Sequence, residues 1–189
     1  MEARRALLDA VKSLVAERGA RAVSVSAIAQ RAGVAKGLLF YYFDAKDDLV
    51  RAALEELDAA YAAHVSSLPA AGGCMERLRA LIRHHFDFLE RDPDGAQFLY
   101  QTAAAGAPAL GFYRHLHGAI LALLTQGAAV GEFKTEDPEE LAYMLLGSLH
   151  GIGRLKLFDF KRDYDAARHL ISFYEKVLLG GGAPSARIG

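Results

Sequence analysis

The chain has 189 residues, 52% of them apolar, enough for a small head domain plus a larger core, and a formal net charge of -1. Its single cysteine, Cys74, excludes an internal disulfide, and no run approaches the roughly 18 apolar residues of a membrane span. With no apolar signal segment in MEARRALLDAV, a cytoplasmic protein without membrane association is expected.

The charge is unevenly spread. Residues 1–51 hold nine Lys or Arg against six Asp or Glu, and the remainder holds thirteen against seventeen. A basic head on an acidic body fits an electrostatic footprint confined to one end of the chain.

The first helix is predicted over Ala3 to Arg18, with Leu7, Leu8, Val11, Leu14 and Val15 as its buried stripe and Gly19 ending it. A second follows from Ser24 to Ala32, with Ser24 suited to capping and Val25, Ile28 and Ala29 on one apolar face. Gly33 supplies the left-handed backbone of a tight turn, and a third helix runs from Ala35 to Phe43. In that helix Ala35, Leu39 and Phe43 share the inward face, while Gly37 and Tyr41 point outward, flanked by Leu38 and Phe40, with Lys36 and Tyr42 near the edges. Glycine, leucine and tyrosine beside lysine make a poor solvated surface and a sensible major-groove surface; the competing interpretation is a plain helical hairpin.

Ser24, Ile28, Ala29, Ala32, Gly33, Val34, Lys36, Gly37, Leu39, Phe43 and Lys46 match, at fixed spacing, the helix-turn-helix motif of the TetR family of transcriptional regulators, which the chain resembles over Arg5 to Arg51. Ala35 departs from that motif where a hydroxyl residue is common, and Phe40 where a tyrosine is usual. The resemblance implies double-stranded DNA with a palindromic operator as partner, a homodimer, and a small-molecule effector. Its candidate DNA-binding residues are Ser24, Ser26, Lys36, Gly37, Leu38, Tyr41, Tyr42 and Lys46, of which Lys36, Tyr42 and Lys46 are expected on phosphates.

Asp44 is expected to cap a long fourth helix, with Asp47 as box partner, reaching Leu68 before Pro69. At about 1.5 Å per residue this is a rod of some 30 to 35 Å. Further helices are expected over Cys74 to Glu90, Ala96 to Ala104, Pro108 to Val130, Pro138 to Leu157 with Asp137 as cap, and Asp165 to Leu179. No β alternation competes. The expected fold is all-α, with about nine helices: a helix-turn-helix domain over 1–46, a ligand-binding and dimerisation body over 47–179, and a flexible tail over 180–189.

In the body, His64 and His85 fall on apolar stripes, where a histidine is most often satisfied by a neighbouring hydroxyl or carbonyl. The alternative makes them the sparse polar groups of an apolar chamber, with Leu57, Tyr61, Phe88, Phe98, Gln101, Phe112, Tyr113, Leu116, His117 and Tyr143 as its other lining residues. Few charges interrupt these stripes, which favours an apolar or amphipathic effector such as a long-chain fatty acid or acyl thioester. Arg83, Arg91, Arg114 and Arg154 are candidates for its acidic head group, or simply solvated. Gly147 and Gly151 lie four apart on the eighth helix, where each glycine costs about 0.8 to 1 kcal/mol relative to alanine, so another helix is expected to approach there. With Leu155, Phe173 and Val177 they form the expected dimer interface; the alternative is that both helices merely close the monomer core.

No Ser-His-Asp arrangement and no phosphate loop is legible, and neither His84-His85 nor His115-x-His117 has the i, i+4 spacing of metal ligands on one helix face. No enzyme, cofactor or metal is therefore expected. The remaining rival is an apolar small-molecule, or lipid, carrier that has lost DNA binding. The expected function is a ligand-responsive repressor, released from DNA by its effector.

Overall fold

A computed structural model of the chain describes residues 2–68, 71–103, 110–158 and 164–180. Among the described residues there are nine α-helices, one short 3-10 turn and no strand. The helices are α1 (Glu2–Arg18), α2 (Val25–Arg31), α3 (Lys36–Tyr42), α4 (Lys46–Ser66), α5 (Cys74–Arg91), α6 (Pro93–Ala103), α7 (Leu110–Ala129), α8 (Pro138–Leu157) and α9 (Ala166–Leu179), with the 3-10 turn at Ala20–Ala22. Pro69, Ala104, Pro108 and residues 181–189 of the expected tail lie outside the described residues.

The chain forms two compact units, the first made of residues 1–64 and 89–114 and the second of residues 65–88 and 115–189. In the first, α1 buries Leu7, Leu8, Ala10, Val11, Leu14 and Val15. At 100° per residue these six cover an arc of about 160°, wide enough to serve neighbours on two sides. Accordingly α1 packs on α2 and α3 and also on α6. Ile28, Ala29, Leu39, Phe43 and Leu49 complete the apolar interior beneath the turn.

The α2–α3 turn is a Schellman closure. The Gly33 N–H donates to the Gln30 carbonyl at 3.1 Å and the Val34 N–H to the Ala29 carbonyl at 3.0 Å, with Gly33 at φ 67. Ser24 caps α2 by accepting the Ala27 N–H at 3.2 Å. Two starts differ from expectation. The box residue of α4 is Asp48, whose carboxylate accepts the Ala45 N–H at 3.1 Å, so the helix opens one residue later than an Asp44–Asp47 pair would set. Helix α6 begins at Pro93, because Asp92 accepts the Gly95 N–H at 2.9 Å and proline is at ease in a first turn.

The second unit contains most of α5 and α7 and all of α8 and α9. Its core draws on Leu78, Ile82 and Phe86 of α5, Ile120 and Leu124 of α7, Leu145 and Leu149 of α8, and Ile171, Tyr174 and Leu178 of α9. A second Schellman closure ends α7, with Gly131 at φ 73 and the Glu132 N–H donating to the Gly127 carbonyl at 2.8 Å. It turns Glu132 onto the start of α5, where its carboxylate accepts the Cys74 N–H at 2.6 Å and the Met75 N–H at 2.8 Å. Asp137 and Asp165 cap α8 and α9 by accepting the Glu140 and Arg168 N–H groups, each at 2.9 Å.

Candidate functional site

Helix α3 is anchored by Leu39, fully buried, and by Phe43 at its end, 7% exposed. With those two inward, helical phase puts Gly37, Leu38 and Tyr41 outward. Tyr41 is 78% exposed, Phe40 48% and Leu38 37%. Tyr42 is half-buried, its ring edge-on to Tyr41 at 5.1 Å and tilted against Phe43 at 6.5 Å, so it stands at the rim. Lys36 and Ser26 are exposed, and Ser24, although capping α2, keeps its own hydroxyl proton for a further acceptor.

Two cations near this surface are engaged within the chain. Arg31 donates to both carboxylate oxygens of Glu17, at 2.7 and 2.9 Å, and to the Ser13 hydroxyl at 2.8 Å, clasping α2 to α1. That pairing holds the Glu17 carboxyl below its ordinary range. Lys46, expected to face phosphate, instead donates to the Ala20 carbonyl at 2.9 Å and the Val23 carbonyl at 3.1 Å. Those carbonyls belong to the 3-10 turn and its exit, where helical bonding leaves acceptors open, so the ammonium is drawn inward. A third cation, Lys12, ties α1 to α4 through Glu56 at 3.1 Å.

The residues expected to line an effector chamber divide between the units. In the first, Leu57, Tyr61, Phe98 and Phe112 are buried, and the Tyr61 and Phe112 rings lie 4.7 Å apart. Burial pushes the Tyr61 phenol above its ordinary range, so it stays protonated. Tyr113 and Gln101 are half-buried, and half-buried His64 takes the Arg91 guanidinium at 3.4 Å. In the second unit His85 and Leu116 are buried and Phe88 and His117 half-buried, with His117 3.6 Å from Glu139.

Burial is the main cause that lowers the pKa of His85 to about 3, with His84 adding to it, while a hydrogen bond to the Leu149 backbone acts the other way. His85 is thus a neutral core imidazole at ordinary pH. Tyr143 does not belong with this set: it is 73% exposed on the same side of α8 as Met144. Its period-four neighbour is Gly147, not the buried Leu145 and Leu149, which is why interleaving in sequence misplaced it.

Within the second unit a cleft of about 300 Å³ opens among the last turn of α4, α5 and α7, lined by Val65, Leu68, Leu81 and Leu123, with Ser66, Arg77 and Gln126 as polar members. Arg77 donates to the Gln126 side chain at 2.9 Å. Its size is at the low end for small-molecule sites, and its lining, apolar with a few polar groups, is of the usual kind. None of the residues expected from sequence lines it: those lie on the most aromatic stretches, whereas this cleft is aliphatic.

The expected interface residues on α8 and α9 all reach the surface. Gly147, Leu155 and Phe173 are exposed and Gly151 and Val177 half-buried, alongside exposed Met144 and Phe158. A Cβ added at Gly147 or Gly151 would meet nothing within 4 Å, so the subunit itself does not require either glycine. Among the described residues no group of three or more His, Cys, Asp or Glu side chains suits a metal ion. No described helix is long and apolar enough to cross a membrane.

Comparison with known proteins agrees with this geometry. The family profile described as "Bacterial regulatory proteins, tetR family" matches residues 7–53, from α1 into α4. The HTH-type transcriptional activator FasR of Mycolicibacterium smegmatis is 33% identical over 102 residues, covering 53% of this chain and 47% of FasR, so the chain spans about half the length of that relative. The HTH-type transcriptional repressor KstR2 of Rhodococcus jostii is 30% identical over 156 residues, covering 76% of this chain and 74% of KstR2. Among solved structures, FadR of Bacillus subtilis in complex with stearoyl-CoA shares the fold with a TM-score of 0.81, at 22% identity over 93% of this chain and 98% of that one. A helix-turn-helix with an outward apolar and phenolic face, matched by profile and by an alignment that reaches well past it, leads to one conclusion: the chain belongs to the TetR family of transcriptional regulators.

Proposed function

We propose that this protein is a ligand-responsive transcriptional repressor, binding a palindromic operator as a homodimer and released from it by an apolar or amphipathic effector, a long-chain fatty acid or acyl thioester. The observation that carries the DNA-binding half is the exposed Gly37–Leu38–Tyr41 face of α3, held outward by buried Leu39 and Phe43. It also speaks against a carrier that has lost DNA binding, which has no use for so apolar an exposed face. Lys36, Tyr42, Ser24 and Ser26 are the groups assigned to phosphates. Repression follows KstR2, whose alignment is longer than that of the activator FasR.

The acyl class draws on two supports: the aliphatic cleft with Arg77 at its polar side, and the likeness to a FadR solved with stearoyl-CoA. The chamber residues buried in each unit, Leu57, Tyr61, Phe98 and Phe112 in one and His85 and Leu116 in the other, remain the proposed set for an effector scan, with Tyr143 removed. Coupling is assigned to α4, a single helix that starts four residues after α3 ends and whose last turn lines the cleft. Moving a two-state protein from 1:99 to 99:1 requires the effector to favour the released state by about 10⁴-fold. Linkage makes operator DNA weaken effector binding by the same factor. Stearoyl-CoA and free stearate are to be titrated into the protein with and without a bound duplex; weaker binding in the presence of duplex is the expected result. Equal affinity in both titrations rules out release by that ligand, however tightly it binds.

A further inference from the structure

Helix α3 reads Lys36, Gly37, Leu38, Leu39, Phe40, Tyr41, Tyr42, and so contains no Arg, Asn, Gln, Asp, Glu, Ser or Thr. Lys36 apart, the side chains that pair bidentately with guanine or adenine, and those that accept from cytosine, are missing from the helix that would enter the groove. Arg31, at the end of α2, is spent on Glu17 and Ser13, and Lys46 on two backbone carbonyls. What the outward face offers is the Leu38 side chain, the Tyr41 ring with its hydroxyl, and between them Gly37, with the exposed Phe40 ring at its flank.

Gly37 supplies a second, independent observation. It is the second residue of α3, where glycine is less favourable than alanine by up to about 1 kcal/mol. Yet a Cβ there would meet nothing within 4 Å, so nothing inside the protein asks for glycine. The missing side chain is explained by a surface that comes close from outside.

We propose that α3 reads its operator through C5-methyl groups in the major groove, with Leu38 as the side chain that touches a thymine methyl in each half-site and Gly37 as the point of closest approach. The inference rests on the DNA-binding function proposed above and specifies what that surface recognises. A leucine has no hydrogen-bonding group, so the only feature by which it distinguishes base pairs in the major groove is the apolar methyl of thymine. Tyr41 adds one hydroxyl, and Lys36 and Tyr42 serve the backbone.

The test begins with a random duplex library enriched on the full-length protein. The best duplex is then resynthesised with deoxyuridine for thymine, one position at a time, which deletes the methyl and leaves pairing intact. At one position per half-site the exchange should weaken binding about four-fold, the value of one buried methyl group, and about fifteen-fold when both half-sites are changed. Leu38→Ala should bind the thymine and uridine duplexes alike, whereas Tyr41→Phe should keep the discrimination. Retention of discrimination in Leu38→Ala, or its loss in Tyr41→Phe alone, overturns the assignment to Leu38. If no uridine exchange matters to the wild-type protein while the duplex still binds in a salt-sensitive way, methyl reading is wrong and DNA binding stands. If no duplex is enriched at all, both fall together. The uridine scan on the wild-type chain decides the matter without relying on the folding of any variant.

Discussion

The Lys46 ammonium has two carbonyl partners, Ala20 and Val23, at the point where the 3-10 turn hands the chain to α2. Hydrogen bonds to a charged donor contribute about 1.5 to 3 kcal/mol each when their loss leaves acceptors open, less where water can replace the donor. Lys46→Ala is therefore expected to destabilise the first unit by about 1 to 3 kcal/mol, seen as a lower melting temperature. Operator binding should weaken without a change in its salt slope, because no phosphate contact is deleted. A slope reduced by about 0.9 with an unaltered melting temperature would instead assign Lys46 to phosphate. Sequence places this lysine correctly in the motif yet says nothing of its partners, which lie 26 and 23 residues earlier. The same distance explains why Arg31 gave no sign of its clasp to Glu17, 14 residues away on another helix.

Several helix boundaries were legible from a local capping group. Ser24, Asp137 and Asp165 each accept the N–H three residues on, and Gly33 closes α2 in the left-handed region, all of which follow from short-range chemistry. The run Asp92-Pro93-Asp94-Gly95 misleads because the same residues that stop one helix start the next; Asp92 caps α6 while Pro93 opens it. The start of α5 is where the sequence puts it, at Cys74, but its cap was not legible. Its first N–H groups, at Cys74 and Met75, are satisfied by Glu132 from 58 and 57 residues away, and a Cβ at Gly73 would lie 2.7 Å from that carboxylate. The Met75 N–H foremost, then that of Cys74, lowers the Glu132 pKa from its ordinary value of 4.5. A carboxylate whose folded pKa is depressed contributes stability that is present above the unfolded value and is lost as pH falls through the folded one. Glu132→Gln should thus be less stable than the parent at pH 7, with the difference closing progressively below about pH 4.5. Urea unfolding of both proteins at a series of pH values isolates this group from the other carboxylates. A difference that persists unchanged at low pH would show that shape, not charge, matters at this cap.

At the scale of the whole molecule the telling feature is what α8 and α9 leave uncovered. Phe158 is 61% and Phe173 54% exposed, and they share the surface with Met144, Leu155 and the two glycines. On their other sides the same helices are fully engaged: Leu145, Leu149, Tyr174 and Leu178 are buried, and Tyr174 makes a hydrogen bond with Ser148. The alternative that both helices merely close the monomer core accounts for the buried set and leaves the exposed one unexplained. Gly147 and Gly151 sharpen the point, since each costs its helix about 1 kcal/mol while filling no need within the subunit. A second copy of the chain laid against this face would use both glycines for close approach, and its own α3 would then reach a second half-site about 34 to 36 Å away on the duplex. Gly151→Leu separates the two accounts. Leucine favours the helical state over glycine, and its Cβ meets nothing within 4 Å inside the subunit, so the variant should fold with undiminished helicity and thermal stability per chain. Between subunits the same side chain occupies the space where the backbones meet, so sedimentation should show monomers, and operator affinity should fall steeply because one head alone binds one half-site. A variant that remains dimeric at micromolar concentration and binds the palindrome as before would place the dimer contact on another face of the protein.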